Sequence, residues 1–130
     1  FGGPILFLIN QLDFSAGDFF PAMLQDNQRA TLMGTRTAGA GGCVTADYLP
    51  YNNLGVRAFS YTWTLAERPH GCPIEDLGVS PDVEYVLTAE DVLNDCAPFV
   101  ERIHEELANL IAPPEPEDPD GSDLIPLDEV

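Results

Sequence analysis

The chain has 130 residues, 45% of them apolar, and a formal charge of −17 from 22 acids set against five arginines and no lysine. That length suits one domain, or part of one, around a single core. So acidic a surface repels phosphate backbones and argues against nucleic acid as a partner. No apolar run approaches the roughly 20 residues of a membrane span, and a chain without lysine cannot supply a Ser–Lys dyad.

The chain opens directly in a strand, as if cut from a longer polypeptide on which any targeting segment would lie. Pro4 to Asn10 (PILFLIN) is a short apolar run ending in a polar residue, the pattern of a strand buried on both faces. Ser15-Ala16-Gly17-Asp18 follows, then Phe19 to Asp26 as a helix. Ser15 with an acid three positions on is a capping-box pattern. A serine at such a strand-to-helix turn can also be a nucleophile, because the free N–H groups of the first helical turn lie beside a developing oxyanion. From the local pattern alone the cap is the commoner reading.

Asp26 to Arg29 is a polar stop, and Ala30 to Gly34 reads as a second strand. Strand, helix and strand within about 30 residues predict a βαβ unit with parallel strands. Thr35 to Cys43 (TRTAGAGGC) is small and glycine-dense, without the ending of a phosphate loop or the spacing of a dinucleotide fingerprint. It reads either as a tight connection or as backbone that passes close to a substrate.

Val44 to Tyr51 and Val56 to Leu65 predict a β-hairpin around the turn at residues 52–55. Arg57, Phe59, Tyr61, Trp63 and Leu65 alternate onto one face, a row expected to pack in the core. Glu67 to Asp82 is a loop rich in proline, glycine and acid. Val83, Tyr85 and Leu87 suggest a closing strand, and Thr88 to Asp91 a capping box opening a short helix. Pro98 to Ile111 is an amphipathic helix with Phe99, Ile103, Leu107, Leu110 and Ile111 as its buried stripe, and with His104 among its solvated residues. Residues 112–130 are acidic and proline-rich, a composition expected to be disordered. They carry one apolar island, Leu124-Ile125-Pro126-Leu127. Cys43, Cys72 and Cys96 are too few and too irregular for a disulfide framework or, with two histidines, for zinc. Free thiols are expected, a single bridge being the alternative.

Several of these pieces, taken in order, resemble one family. The apolar strand, Ser15-Ala16-Gly17-Asp18, Leu24-Gln25-Asp26, Arg29-Ala30, Gly34 to Gly39 with Gly41, and Glu75 to Asp82 resemble the C-terminal-processing and tricorn-type serine peptidases. Asp13 to Gly42 is especially similar to the branch of the chlamydial protease-like activity factor. The resemblance covers about Pro4 to Val86.

It implies an α/β fold with a ClpP/crotonase-like β-α-β core, followed by the hairpin and C-terminal helices, as part of a domain. It places the family's nucleophile on Ser15, with the N–H of Ala16 as one oxyanion donor, and the branch's glutamate on Glu75, which would orient an imidazole. Gly39, Ala40 and Gly41 become the candidate substrate loop. The lysine of the processing-protease branch would fall at Ala40, a departure that points to the branch using Ser, His and Glu. The histidine of that branch lies upstream of Phe1. His70, five residues before Glu75, is a weaker local substitute as base.

The resulting expectation is that residues 1–111 form the C-terminal portion of a secreted or periplasmic serine peptidase domain. It would need no metal or organic cofactor and would act on protein or peptide substrates. Its partner would be the upstream half of the same domain, without which an open sheet edge invites self-association. The alternatives are a non-catalytic ligand- or protein-binding member of the fold, like the retinoid-binding relatives, and an interaction module built on the acidic tail.

Overall fold

The computed structural model describes residues 1–49 and 53–112, so part of the expected hairpin turn and the acidic tail with its apolar island lie outside the described residues. The elements run β1 (Leu6–Ile9), α1 (Ala16–Asp26), β2 (Thr31–Gly34), β3 (Gly42–Tyr48), β4 (Ala58–Leu65), β5 (Val83–Glu84), α2 (Ala89–Leu93) and α3 (Ala97–Ile111). The first three form the expected β-α-β unit. β1 and β2 pair in parallel from Leu6 opposite Thr31 to Ile9 opposite Gly34. β5 joins the far side of β2, also parallel, giving the order β1-β2-β5.

The core lies between α1, the sheet and the loop before β5. Ile9, Ala22, Leu32, Ile74 and Val79 are buried together, with Phe7, Phe19 and Ala66 packed against them. Phe7 meets Phe20 edge to face at 5.4 Å between ring centroids, a favoured aromatic geometry. Met33 is buried on the other side of β2, as the alternation of a strand requires.

A left-handed residue ends α1. Gln28 has φ 51°. Its N–H bonds the Gln25 carbonyl, and the N–H of Arg29 bonds that of Leu24, the two bonds of a Schellman stop. The end of the helix is tied to the rest of the fold by side chains. Arg68 donates from Nε and Nη2 to the Asp26 carboxylate and from Nη2 to Gln25. Gln25 donates to Asp82 at 2.7 Å and to the Ser80 carbonyl, and the other Asp82 oxygen accepts the N–H of Leu32 at 2.7 Å. Leu24-Gln25-Asp26, quoted above as part of the family pattern, is therefore a structural joint between α1, β2 and the loop before β5.

Four expectations need correction. β1 is not buried on both faces, since Leu8 is 44% exposed; among the described strands it also lies at an edge of the sheet. The aromatic row of the hairpin is not core. β3 and β4 form a separate two-stranded ribbon, and every residue of β4 is exposed. Alternation along β4 is also broken, because Cys43 opposes Thr64 whereas Val44 opposes Thr62, leaving Trp63 as the extra residue of a bulge. Along α3, Phe99, Ile103, Leu107 and Leu110 are half-buried, but Ile111 is exposed at the end of the helix. β5 is shorter than the alternation suggested, although the N–H of Tyr85 still reaches the Gly34 carbonyl. His104 is exposed, and Cys43, Cys72 and Cys96 are free. Among the described residues no helix is long and apolar enough to cross a membrane.

The capping box at Thr88 forms as expected, with both reciprocal bonds present. Its acid, Asp91, is fully buried and also accepts the Tyr85 hydroxyl at 2.8 Å, joining α2 to the strand end. The N–H of Thr88, above all, holds the Asp91 carboxyl below its ordinary 3.8, helped by the hydroxyls of Tyr85 and Thr88. The bond to Asp91, followed by desolvation and the Asp91 charge, pushes the Tyr85 phenol up to about 12 from 10.0.

The signs are opposite. A lowered carboxyl adds stability above its unfolded value and loses it as pH falls through the native one. A raised phenol adds stability below its unfolded value and loses it as pH climbs toward about 12. In the native protein Tyr85→Phe is expected to remove the last alkaline step of tyrosinate absorbance, and Asp91→Asn to flatten the acid limb of stability measured by denaturant.

Candidate active site

Between β1 and α1 the chain turns through residues 10–15. Asn10 and Asp13 tie this turn by reciprocal bonds: the Asn10 N–H to Asp13 Oδ2 at 2.7 Å, the Leu12 N–H to Asn10 Oδ1, and the Asp13 N–H to the Asn10 carbonyl. At its end stands Ser15, exposed, with φ 56° and ψ −114°. Positive φ at a residue bearing a Cβ is strained, at about 1–3 kcal/mol, and such strain concentrates at functional turns.

The capping-box expectation for Ser15 and Asp18 fails here. An N-cap residue takes an extended backbone and bonds the helix with its side chain, whereas Ser15 has neither the dihedrals nor a side-chain cap bond. Its hydroxyl has no partner among the described residues. The N–H groups of Gly17, Asp18 and Phe19 are satisfied by the carbonyls of Phe14 and Ser15, but that of Ala16, next to the serine, has no acceptor among the described residues. An exposed hydroxyl and an unpaired N–H thus stand side by side at a helix start.

Asp18 has a different task. Its side chain is wholly buried, and its two oxygens accept three bonds from the glycine-rich segment. Thr37 Oγ1 and the Gly39 N–H bond Oδ1 at 2.5 and 2.9 Å, and the Ala40 N–H bonds Oδ2 at 2.9 Å. Three donors satisfy a buried carboxylate better than a single N–H at a cap could. The sequence reading gives Asp18 only the place of a capping acid, and Thr37 no role of its own. The available signal was an acid on the first turn of a helix followed by a loop whose amides lack a strand partner.

Glu75 lies across the same segment. Gly39 and Gly41 are buried in the loop's contact with residues 74–78. A Cβ on Gly41 would stand 2.5 Å from the Glu75 nitrogen, and one on Gly39 would stand 2.9 Å from that of Gly78. The Asp76 N–H bonds the Gly39 carbonyl at 2.8 Å. These glycines are explained by the close approach of two backbones, while Ala40 between them faces solvent. On its other side the segment meets the elbow, where the Ala38 N–H bonds the Asp13 carbonyl at 2.8 Å. The segments that carry Ser15 and Glu75 therefore both bond to one strip of chain, residues 38–41. The half-buried Glu75 carboxylate makes no side-chain hydrogen bond among the described residues.

His70 sits at the tip of a small hairpin closed by the bond from the Arg68 N–H to the Cys72 carbonyl and a bridge between Glu67 and Pro73, with Glu75 just beyond its base. It is exposed, and no hydrogen bond joins it to Glu75 or Ser15. Among the described residues no cluster of His, Cys, Asp or Glu could hold a metal ion. An apolar cleft of about 400 Å³ opens at the C-terminal ends of the parallel strands, lined by Leu8, Leu12, Met33, Tyr85, Val86 and Phe99. A more open hollow of about 450 Å³ lies at the opposite end, beside Pro4, Arg29 and Asp82, and neither space is lined by a candidate catalytic residue.

The family model for peptidase family S41 matches residues 1–85, and the chain belongs to that family. An uncharacterised protein of Chlamydia muridarum is 46% identical over 109 residues, which cover 83% of this chain and 18% of the relative. A carboxy-terminal-processing protease of Bartonella bacilliformis is 36% identical over 80 residues, 62% of this chain and 18% of that protein.

Among solved structures, mature CPAF complexed with lactacystin superposes with a TM-score of 0.79 at 42% identity, covering 84% of this chain and 21% of that one. The tricorn protease superposes with a TM-score of 0.63 at 26% identity, covering 83% of this chain and 10% of the other. The fold is thus that of the S41, CPAF and tricorn proteases, and the chain spans about a fifth of the curated relatives it matches.

The strain at Ser15 has a measurable consequence. Glycine accepts the dihedrals of that elbow freely, whereas alanine keeps the penalty. Ser15→Gly is therefore expected to be more stable than Ser15→Ala by about 1 kcal/mol, measured by denaturant unfolding of the native protein. Equal stabilities would mean that the elbow is relaxed.

Proposed function

We propose that this chain supplies the nucleophile and the acid of a serine peptidase site, with an imidazole contributed by another part of the polypeptide. The observation that carries the reading is the elbow: a strained, exposed Ser15 whose hydroxyl and neighbouring Ala16 N–H have no hydrogen-bond partner among the described residues. Family membership supplies the chemical context.

In this reading the imidazole removes the Ser15 hydroxyl proton as Oγ attacks a peptide carbonyl. The carbonyl oxygen becomes an oxyanion stabilised by the Ala16 N–H. The imidazolium then protonates the leaving amine, leaving an acyl-enzyme. Water, deprotonated by the same imidazole, hydrolyses the ester and restores the serine. Glu75, whose carboxylate has no hydrogen-bond partner among the described residues, orients the ring and stabilises its charge. His70 is a weaker candidate for the base, since nothing ties it to either group. Substrates are proteins or peptides, and the setting is secreted or periplasmic. Without an imidazole contributed from elsewhere, the 130-residue chain is weakly reactive.

A second reading, a non-catalytic member of the fold that binds apolar ligands, draws on the apolar cleft at the strand ends. A fluorophosphonate probe separates the two. In the native full-length protein, a phosphonyl adduct is expected on Ser15 by peptide mass spectrometry and is lost in Ser15→Ala. Glu75→Gln is expected to slow its formation by about 10²- to 10⁴-fold. Absence of an adduct on the folded protein would favour the binding protein.

A further inference from the structure

Ser15 and Glu75 lie on separate segments, so their relative placement depends on what fixes those segments to each other. The bonds around Asp18 span the whole distance. Asp18 belongs to the first turn of the helix that begins at Ser15. Its carboxylate grips the Gly39 and Ala40 amides and the Thr37 hydroxyl. Thr37 carries the connection onward, its Oγ1 accepting the Val79 N–H at 2.8 Å and its own N–H bonding the Val79 carbonyl at 3.1 Å. The Gly39 carbonyl, held in place by the same grip, accepts the N–H of Asp76, the residue after Glu75.

We propose that Asp18 is a positioning residue. Acting through Thr37 and the Gly39 and Ala40 amides, it sets the spacing between the Ser15 hydroxyl and the Glu75 turn, and with it the rate at which Ser15 is acylated. The inference rests on the peptidase reading above. Asp18 is fully buried and Thr37 is 2% exposed, so neither touches substrate. The carboxylate is specifically required. It offers acceptor oxygens to all three donors, whereas an asparagine turns an NH2 toward one of them and forces that group away. Thr37 must both donate to Asp18 and accept from Val79, which serine can do and valine cannot.

The test uses the native full-length protein and a fluorophosphonate probe, comparing Asp18→Asn, Thr37→Val and Thr37→Ser. A misplacement of about 1 Å at a reacting centre costs up to roughly 100-fold. Asp18→Asn and Thr37→Val are therefore expected to lower the maximal rate of Ser15 phosphonylation about 10- to 100-fold. The probe concentration at half-saturation should stay within about twofold, since the binding surface is untouched. Thr37→Ser should recover most of the rate. In parallel, amide exchange at Gly39, Ala40 and Asp76 should quicken in the two damaging variants.

A normal maximal rate in folded Asp18→Asn, or unchanged exchange at Asp76, would overturn the proposal. So would Thr37→Ser behaving like Thr37→Val. Should Asp18→Asn not fold, the two Thr37 variants decide the matter. A wild-type protein that takes no adduct removes the peptidase reading and this inference together, whereas equal labelling of wild type and variants removes the inference alone.

Discussion

A carboxylate taken out of water must find donors or it will not stay there. In this protein that requirement is met at Asp18, and the consequences extend outward from it. Its donors are the Thr37 hydroxyl and the Gly39 and Ala40 amides, so the first turn of α1 cannot move independently of the segment that follows β2. Because Thr37 is bonded in turn to Val79, the loop after Glu75 is drawn into the same unit. Three stretches far apart in sequence are thereby fixed to one another by a single buried group. The apolar core beneath them is small, five buried side chains with a few partners among the described residues, and would not by itself set their relative position to the accuracy a reacting centre needs.

Glycine completes the arrangement from the other side. Gly41 brings the strip against the Glu75 backbone at a distance no Cβ could share. The strip is therefore thin, and residues on its two sides stand closer than they otherwise could. At the lower end of α1, Arg68, Gln25 and Asp82 form a second set of ties. The helix is thus held at both ends by polar bonds and along its middle by apolar packing. This division of labour suits a helix whose start must be placed accurately.

Much of this was legible in the sequence, and what was not had a physical cause. The parallel β1–β2 pair followed from two apolar runs separated by one helix length. The cap at Thr88 followed from local spacing, because each of its bonds spans three residues or fewer. Ser15 and Asp18 show the same spacing and fail as a cap. There the acid found better donors about 20 residues away, a tertiary competition that a local pattern cannot display. The hairpin misled for a related reason. Phe59, Tyr61 and Trp63 alternate as core residues would, but alternation says only that a strand has two faces, not that this chain covers either. The roles of Ser15 and Glu75 came from resemblance rather than from spacing; without it Ser15 reads as a helix cap and Glu75 as one more surface acid.

The bulge in the ribbon has an optical corollary. The single tryptophan of the chain, Trp63, is the extra residue at that bulge and is 69% exposed. Its indole therefore samples bulk solvent in the folded state and emits much as it would in an unfolded chain. Fluorescence from this chain is nearly silent about melting of the core, yet responsive to any surface that comes to rest on the ribbon.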